Sequence, residues 1–340
     1  MSPPFQDTDF AGFDDIVFGG SEIRDRTMRQ TLDDMVSERV LSADVATIAQ
    51  DALAECQRRI RPGIDSPARW QDFQTACEQL REFKADAGID RVVVVNLAST
   101  EPNGPRELPE TWAGLRKALE DGELTLPASS AYAAAAFETG CSFVNFTPSL
   151  GGSPAALCEL AESRGVAQAG CDGKTGETLI KTALAPMFAT RRLHVDSWFS
   201  QNVLGNNDGR ALSEDDRRAA KLATKRAAVN DILGYEVESR VNIDYLPSYG
   251  DWKVAWNHIH FRGFGGTPMT MEFTWRGCDT ALAAPLCIDL IRFVDRSVQN
   301  GEKGVLTQLG IFFKSPMGSS EHRLAEQYRA LCQHYLGEGG

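Results

Sequence analysis

The chain has 340 residues, of which 42% are hydrophobic and 24% are charged. This length and apolar fraction suffice for a sizeable core and for one large or two ordinary domains, and they exclude a largely disordered chain. The 35 basic and 47 acidic residues give a net charge of −12, which repels nucleic-acid phosphates and anionic lipid, so neither is an expected partner.

Targeting signals are not visible in the sequence. The first ten residues have neither a basic nor an apolar signal region, and no apolar run reaches the roughly 18 residues that span a bilayer. The eight cysteines form no CxxC pair and lie mostly in apolar patterns, which is typical of reduced core thiols. The sequence therefore predicts a cytoplasmic protein.

The first half of the chain alternates between strand and helix patterns. A strand at 14–20 is followed by helical periodicity over 24–87, and the run of valines at 91–99 predicts a strand buried on both faces. The alternation continues with helices at 110–122, 130–140 and 154–165, and with strands at 142–148 and 166–170. Such an alternation predicts a doubly wound α/β unit with a parallel sheet.

The second half changes to strands with a period of two. A helix at 178–188 precedes three amphipathic strands, at 240–247, 253–264 and 268–277. Adjacent amphipathic strands predict an open, largely antiparallel sheet with one face against helices or a partner subunit. The chain then returns to a helix at 280–298, an apolar stretch at 305–313 and a last helix near 321–336.

A candidate phosphate loop, CDGKTGET, occupies residues 171–178 between a short strand and a helix. Its backbone amides and the helix N-terminus can bind phosphate, and Lys174 adds positive charge. It is not a P-loop, because Gln168 stands where that motif has its first glycine. A plain turn capped by Thr175 is the alternative.

Lysines in unusual surroundings are the main candidates for catalysis. The polar loop 201–213 precedes a predicted helix at 214–233 that carries Lys221 and Lys225 on one face. Burial of that face would lower a lysine pKa towards neutral, whereas exposed lysines are the default. Two more lysines follow apolar or aromatic residues, and each has a candidate partner: Lys253 with Asp251, and Lys314 with Asp279.

A glycine-rich segment, one glutamate and a pair of histidines each have a structural explanation. No GxGxxG motif occurs, and GFGGTP at 263–268 is interpreted as a hairpin turn between strands. Glu22 follows the first strand, where a carboxylate binds a ribose hydroxyl in dinucleotide sites, although an exposed turn residue fits equally well. His258 and His260 share a strand face without a third metal ligand at a telling spacing, so no metal is expected.

A series of motifs in the second half resembles the myo-inositol-1-phosphate synthase (inositol-3-phosphate synthase) family. The motifs that carry the resemblance are QNVLGNNDG (201–209), GDWKVAWNHI (250–259), CDTALAAPL (278–286) and FFKSPM (312–317). The likeness extends from DDIVFGGSEI (14–23) through TEPNGP (100–105) and CDGKTGETLIKTALAPMF (171–188). Singly these motifs are weak, but together and in this order they are highly specific.

The resemblance implies a Rossmann-type domain, with its first strand missing here, and a second α+β domain for catalysis and tetramer contacts. We expect the first domain to comprise residues 1–175 and about 278–340, and the second about 176–277. The family converts D-glucose 6-phosphate into 1D-myo-inositol 3-phosphate with bound NAD, through oxidation, enolisation, aldol cyclisation and reduction. A cyclase for another sugar phosphate, and a sugar-phosphate-binding or assembly subunit without redox activity, are the alternatives.

The resemblance also assigns roles to residues of this chain. Proton transfer and charge stabilisation fall to Lys221, Lys225, Lys253 and Lys314, with Asp172 and Asp279 as their partners. The substrate phosphate falls to Thr175, Gly176, Glu177 and Thr178, and NAD to Glu22, Ser99, Thr100, Asn202 and Asp208. Glu177 stands where many members have Gln, and a carboxylate beside a phosphate is unfavourable unless it points away or is paired.

The start of the chain departs from the family pattern. Family members begin with a strand and a glycine-rich loop for the NAD pyrophosphate, and this chain begins after both. A genuine loss would weaken cofactor binding and expose a sheet edge. We expect a start codon assigned too late, or a fragment, because every later active-site position is present.

Overall fold

The computed structural model describes residues 3–6, 9–102, 107–205 and 228–337. Its strands are β1 (Gly20–Glu22), β2 (Ile60–Pro62), β3 (Val93–Asn96), β4 (Ser142–Asn145), β5 (Ala167–Gly170), β6 (His194–Leu204), β7 (Glu238–Tyr245), β8 (Trp252–Arg262), β9 (Pro268–Cys278) and β10 (Gly304–Val305). Its named helices are α1 (Met28–Ser37), α2 (Ala43–Gln57), α3 (Trp70–Ala87), α4 (Trp112–Glu120), α5 (Ala128–Glu138), α6 (Ala155–Arg164), α7 (Glu177–Thr190), α8 (Asp279–Gln299) and α9 (Leu324–Leu336). Residues 228–233 are also helical.

The first sheet is parallel, in the strand order β10-β5-β4-β3, and a separate parallel pair joins β1 to β2. Strands β4 and β5 are fully buried, whereas β3 is half-buried because, in the described residues, it pairs on one side alone. Val94 packs against the helices on one face and Val95 against α8 and α9 residues on the other. The prediction of a parallel sheet covered on both faces is thus confirmed.

The second sheet has the order β7-β6-β8-β9 and is antiparallel except between β6 and β7. Ala255, Asn257 and Ile259 of β8 are fully buried, and their neighbour Trp256 is 36% exposed on the opposite face. Period-two patterning therefore predicted the largely antiparallel character of the sheet correctly, and the structure shows which face of β8 is buried. The turn between β8 and β9 at residues 264–266 confirms the predicted hairpin.

Two predicted elements are wrong in their boundaries. Residues 13–15 form a short 3-10 helix, and the first strand covers only 20–22, so Glu22 lies within the strand instead of after it. Residues 201–204, predicted as a loop, complete β6, because this segment pairs with both β7 and β8. The predicted helix at 214–233 falls within the described residues only from 228 onward.

The rest of the predicted order agrees with the structure within two or three residues at most helix ends. The fold is a Rossmann-type parallel sheet combined with a mixed second sheet, as the resemblance implies. In the described parts of the chain, no helix has both the length and the hydropathy to cross a bilayer.

Candidate active site

The site is built around a strand-like junction between residues 171–174 and 312–315. The Lys314 amide donates to the Asp172 carbonyl at 2.7 Å, and the Lys174 amide donates to the Phe312 carbonyl at 2.8 Å. The Cys171 amide donates to the Ser315 carbonyl at 2.9 Å. Gly173 lies against Phe146 so closely that an added Cβ would stand 2.1 Å from its ring. The backbone therefore fixes where the side chains of this junction point.

Lys314 and Asp172 form the first ion pair of the site. The Lys314 ammonium donates to Asp172 Oδ1 at 2.7 Å, and both side chains are largely buried. Asp172 has a φ of 62°, a left-handed conformation that is uncommon for any residue other than glycine. Its second oxygen, Oδ2, is buried and accepts no hydrogen bond from the described residues. A buried acceptor without a donor costs free energy, so this oxygen is available to a ligand.

Lys253 and Asp279 form the second ion pair, at the junction of β9 with α8. The Lys253 ammonium donates to Asp279 Oδ2 at 3.1 Å, and the Thr175 hydroxyl donates to Oδ1 at 3.1 Å. Burial opposes ionisation of Asp279, but Lys253, Lys314 and the Thr175 hydroxyl outweigh it and lower the pKa of this carboxyl. The influence of Lys314 shows that the two ion pairs are neighbours.

The structure corrects the predicted partners of both lysines. The Asp251 carboxylate accepts from the Cys278 thiol at 3.1 Å, and the ion pair described for Lys253 is with Asp279. Asp279, which was expected to pair with Lys314, forms its ion pair with Lys253, and Lys314 also lowers the pKa of Asp279. Four of the residues predicted as catalytic, Asp172, Lys253, Asp279 and Lys314, are thus brought together, with pairings that differ from those predicted.

The predicted phosphate loop lies at the N-terminus of α7, beside these ion pairs. Gly176 is the N-cap of α7, and an added Cβ there would stand 2.9 Å from the Trp275 indole nitrogen. The Thr178 hydroxyl is buried and has no hydrogen-bond partner within the described ranges. Thr175 binds Asp279 instead of capping the helix, so the interpretation of 171–178 as a plain capped turn is wrong.

Lys174 does not add its charge to the loop in the way predicted. Its side chain is 2% exposed and donates to Gln327 Oε1 in α9 at 2.6 Å. Burial lowers the pKa of Lys174 to about 8. The loop instead contains a buried ion pair that the sequence interpretation missed, between Glu177 and Lys181 at 2.8 Å.

Asn202 is fully buried in β6 and lies on the same sheet face as Lys253. This face also carries the residues that pack against α7. The predicted residues Asp208, Lys221 and Lys225 lie outside the described residues, so their roles stay predictions.

The residues predicted for the cofactor lie near strand ends of the two parallel sheets. Ser99 and Thr100 follow β3, and Thr100 is buried. The Glu22 carboxylate accepts from the amides of Ile23 and Arg24 and from the Arg24 guanidinium, whose hydrogen bond lowers the pKa of Glu22. The three hydrogen bonds described for Glu22 are thus with its own chain neighbours and do not involve the Lys314–Asp172 or Lys253–Asp279 pair.

Sequence reasoning missed a polar network at the carboxyl ends of β3 and β4. Asn96 Nδ2 donates to Asn145 Oδ1 and to Thr147 Oγ1, both at 3.1 Å, and Ser149 accepts from the Glu101 amide at 3.0 Å. Ligands of open α/β sheets bind at this edge. The signal was present in the sequence, because an asparagine ends each of these two apolar strands.

Comparisons with known proteins point to one family. The sequence profile of the myo-inositol-1-phosphate synthase family matches residues 176–280. Inositol-3-phosphate synthase 1 of Bacteroides thetaiotaomicron is 37% identical over 279 residues, which cover 78% of this chain and 65% of that protein. The chain thus spans less than two thirds of that relative's length.

Two solved structures share the fold. Inositol-3-phosphate synthase from Caenorhabditis elegans superposes with a TM-score of 0.85 at 22% identity, over 96% of this chain and 71% of that one. A myo-inositol-1-phosphate synthase-related protein from Thermotoga maritima gives a TM-score of 0.72 at 25% identity, over 86% and 82% of the respective chains. These two likenesses show the fold, and the profile match and the Bacteroides relative show that the chain belongs to the myo-inositol-1-phosphate synthase family.

Proposed function

We propose that the protein is an inositol-3-phosphate synthase that converts D-glucose 6-phosphate into 1D-myo-inositol 3-phosphate with bound NAD. The observation that carries the proposal is the convergence of two lysine–aspartate pairs on a loop at a helix N-terminus. This arrangement combines an anion site with groups that stabilise developing negative charge. The names of the matched relatives support the same reaction.

The phosphate of the substrate binds at residues 175–178. Backbone amides at the start of α7 have no partner within the helix, and the helix dipole favours an anion there. The orphaned Thr178 hydroxyl is available to donate to a phosphate oxygen. The sugar then extends towards Lys253 and Lys314.

The two described lysines stabilise charge on the sugar oxygens. A ketone at C5 makes the C6 protons acidic, and removal of one proton gives an enolate whose oxygen needs a nearby cation. Attack of C6 on the C1 aldehyde forms the ring bond and turns the aldehyde oxygen into an alkoxide, which takes up a proton. Asp172 and Asp279 hold the two ammonium groups in position. Lys221 and Lys225 complete this set.

The residues present fit NAD at the adjacent sheet edge. Glu22 uses its carboxylate for three hydrogen bonds and retains a lone pair for a ribose hydroxyl. Thr100 and the network of Asn96, Asn145 and Thr147 line the carboxyl ends of β3 and β4, close to where Asp172 follows β5. Bound NAD supplies reversible removal of a hydride from C5, so the overall reaction is an isomerisation. Asn202 and Asp208 are the remaining predicted contacts.

We propose the domain division given by the resemblance, with residues 1–175 and about 278–340 as the NAD-binding domain. The parallel sheet draws its strands from these two segments, and the mixed sheet draws its own from residues 194–278. The open face of the mixed sheet, with Phe199, Val254 and Trp256, supports a homotetramer through this domain. Light scattering of the purified protein tests the tetramer.

The experiment that tests the function is incubation of the 340-residue protein with glucose 6-phosphate and NAD, followed by phosphorus and proton NMR. We expect inositol phosphate without net formation of NADH. A different cyclic phosphate would assign the protein to another sugar phosphate. Binding of glucose 6-phosphate without any product would indicate a sugar-phosphate-binding subunit and contradict the proposal.

A further inference from the structure

A negatively charged residue occupies the proposed phosphate loop. Glu177 is the first residue of α7, and its side chain is 1% exposed. A buried carboxylate at this place repels a phosphate dianion, and the repulsion is strong because little water screens it. The proposed function therefore requires something that offsets the charge of Glu177.

Lys181 lies one helical turn along α7 and meets this requirement. Its ammonium is 2.8 Å from Glu177 Oε1, and its side chain is 4% exposed. Residues four apart face the same side of a helix, with the acid placed towards the N-terminus, which is the favourable order for such a pair. The carboxylate and the ammonium together contribute no net charge to the loop.

The other described contacts of Lys181 are with neutral groups. Its ammonium donates to the Ser200 hydroxyl at 2.9 Å and lies 5.7 Å from the centre of the Trp198 ring. Ser200 donates in turn to Asn257 Oδ1 at 2.7 Å, and the Trp198 indole donates to the same oxygen at 2.8 Å. These neutral groups orient the ammonium, and Glu177 is its negatively charged partner among the described residues.

From this geometry we propose that Lys181 is a positioning residue whose charge lets the loop bind phosphate with a glutamate at position 177. The inference rests on the proposed function, because it assumes that residues 175–178 bind the phosphate. It predicts that Glu177 and Lys181 are coupled: loss of the cation alone is harmful, and loss of both charges is tolerated.

The test is a double-mutant cycle on the full chain, with isothermal titration of inorganic phosphate and of glucose 6-phosphate. We expect Lys181→Gln to weaken binding of both ligands by about tenfold or more. The double variant Glu177→Gln with Lys181→Gln is expected to bind within about threefold of the unmodified protein. The matched control is Lys117→Gln, which removes an exposed lysine paired with Asp121 at the same spacing on α4 and is expected to change nothing.

Two results would overturn the inference. One is unchanged phosphate binding by Lys181→Gln, and the other is failure of Glu177→Gln to rescue it, which would indicate a purely structural role for Lys181. Should Lys181→Gln fail to fold, Glu177→Gln alone decides: retained or tighter phosphate binding supports the inference, and a loss above about tenfold refutes it. Absence of phosphate binding by the unmodified protein would instead refute the proposed function.

Discussion

The two lysine–aspartate pairs of the site are held in different ways. Asp172 and Lys314 stand on two backbone segments that hydrogen-bond to each other like paired strands, so main-chain geometry sets their separation. Lys253 and Asp279 come from a strand and from the helix that follows its hairpin partner, and the side-chain hydroxyl of Thr175 completes their contact. The Asp279 side chain is 32% exposed, against 6% for Asp172.

This difference in how the two pairs are held suits them to different tasks. A pair fixed by the backbone provides a cation at a constant place, which suits stabilisation of charge in a transition state. A pair fixed by side chains can exchange partners at little cost, which suits binding and release of substrate oxygens. Thr175 belongs to the proposed phosphate loop and binds Asp279, so we expect phosphate binding there to alter the contacts of the second pair.

The largest expected effect comes from removing the cation of each pair in turn. Lys314→Met and Lys253→Met should each lower product formation by at least about 10²-fold to 10³-fold, because in the proposed reaction each of these lysines stabilises an oxyanion. Only Lys314→Met should also destabilise the fold markedly, by about 3–5 kcal/mol, because it leaves Asp172 buried without a cation among the described residues.

Product NMR and urea unfolding of both variants measure these effects. Lys303→Met is the matched control, since Lys303 is exposed. Equal loss of unfolding free energy in the two lysine variants would contradict the distinction between a backbone-fixed pair and a side-chain-fixed pair.

The second effect concerns Lys174, which lies in the backbone-fixed junction but faces away towards Gln327. Burial lowers the pKa of Lys174 from 10.5 to about 8, so between these values the unfolded chain binds more protons than the folded one. The free energy of unfolding should therefore rise with pH across this window, by up to about 3 kcal/mol. Subtracting the curve of Lys174→Met from that of the unmodified protein isolates this rise, and a flat difference would contradict it.

A third effect tests the backbone junction itself. Gly173→Ala places a methyl group 2.1 Å from the Phe146 ring, so the junction must shift. We expect a loss of about 1–3 kcal/mol in unfolding free energy and reduced activity through displacement of Asp172. The control is Gly20→Ala, whose added methyl meets only Ile60 at 3.8 Å. Comparable losses in the two variants would show that the close contact at Gly173 has no special cost.

Most of the fold could be predicted because its signals are local. The valine run of β3 and the period-two pattern of β8 each indicate a strand without any knowledge of the partner strand. The strand at 14–20 was mispredicted because apolar residues followed by glycines are typical of a strand end, whereas only 20–22 find a partner, in β2.

The sequence indicates which residues form the site much better than it indicates which of them form ion pairs. Lys253 and Lys314 stood out because a cation follows apolar residues, but Lys314 and Asp172 are 142 residues apart and no local pattern joins them. Asp251 looked like the partner of Lys253 through proximity in sequence, yet it binds Cys278 across the sheet. Glu177 and Lys181 are the opposite case, because a spacing of four on one helix is a local signal for an ion pair.

The smallest expected effect comes from Glu38, which contacts the turn before Lys253 and so supports the Lys253–Asp279 pair. Glu38, which follows α1, accepts from the Asp251 amide at 2.7 Å, and its carbonyl accepts from the Trp252 indole at 2.9 Å. These bonds hold the turn that precedes Lys253. Glu38→Ala removes the first bond and keeps the second, so we expect about a tenfold loss of turnover with less than about 1 kcal/mol of lost stability.

Glu55→Ala is the control for Glu38→Ala, because Glu55 is a comparable acid on α2 whose partners are the neighbouring Arg58 and Arg59. The position of Lys253 depends on the turn more than that of Lys314 does, since Lys314 is fixed through its own backbone amide. Glu38→Ala should therefore affect turnover in the background of unmodified Lys253 and add nothing once Lys253 is replaced by Met. Additive losses in the Glu38→Ala, Lys253→Met double variant would mean that Glu38 acts on the site through another group, because two residues that act through one contact cannot lose it twice.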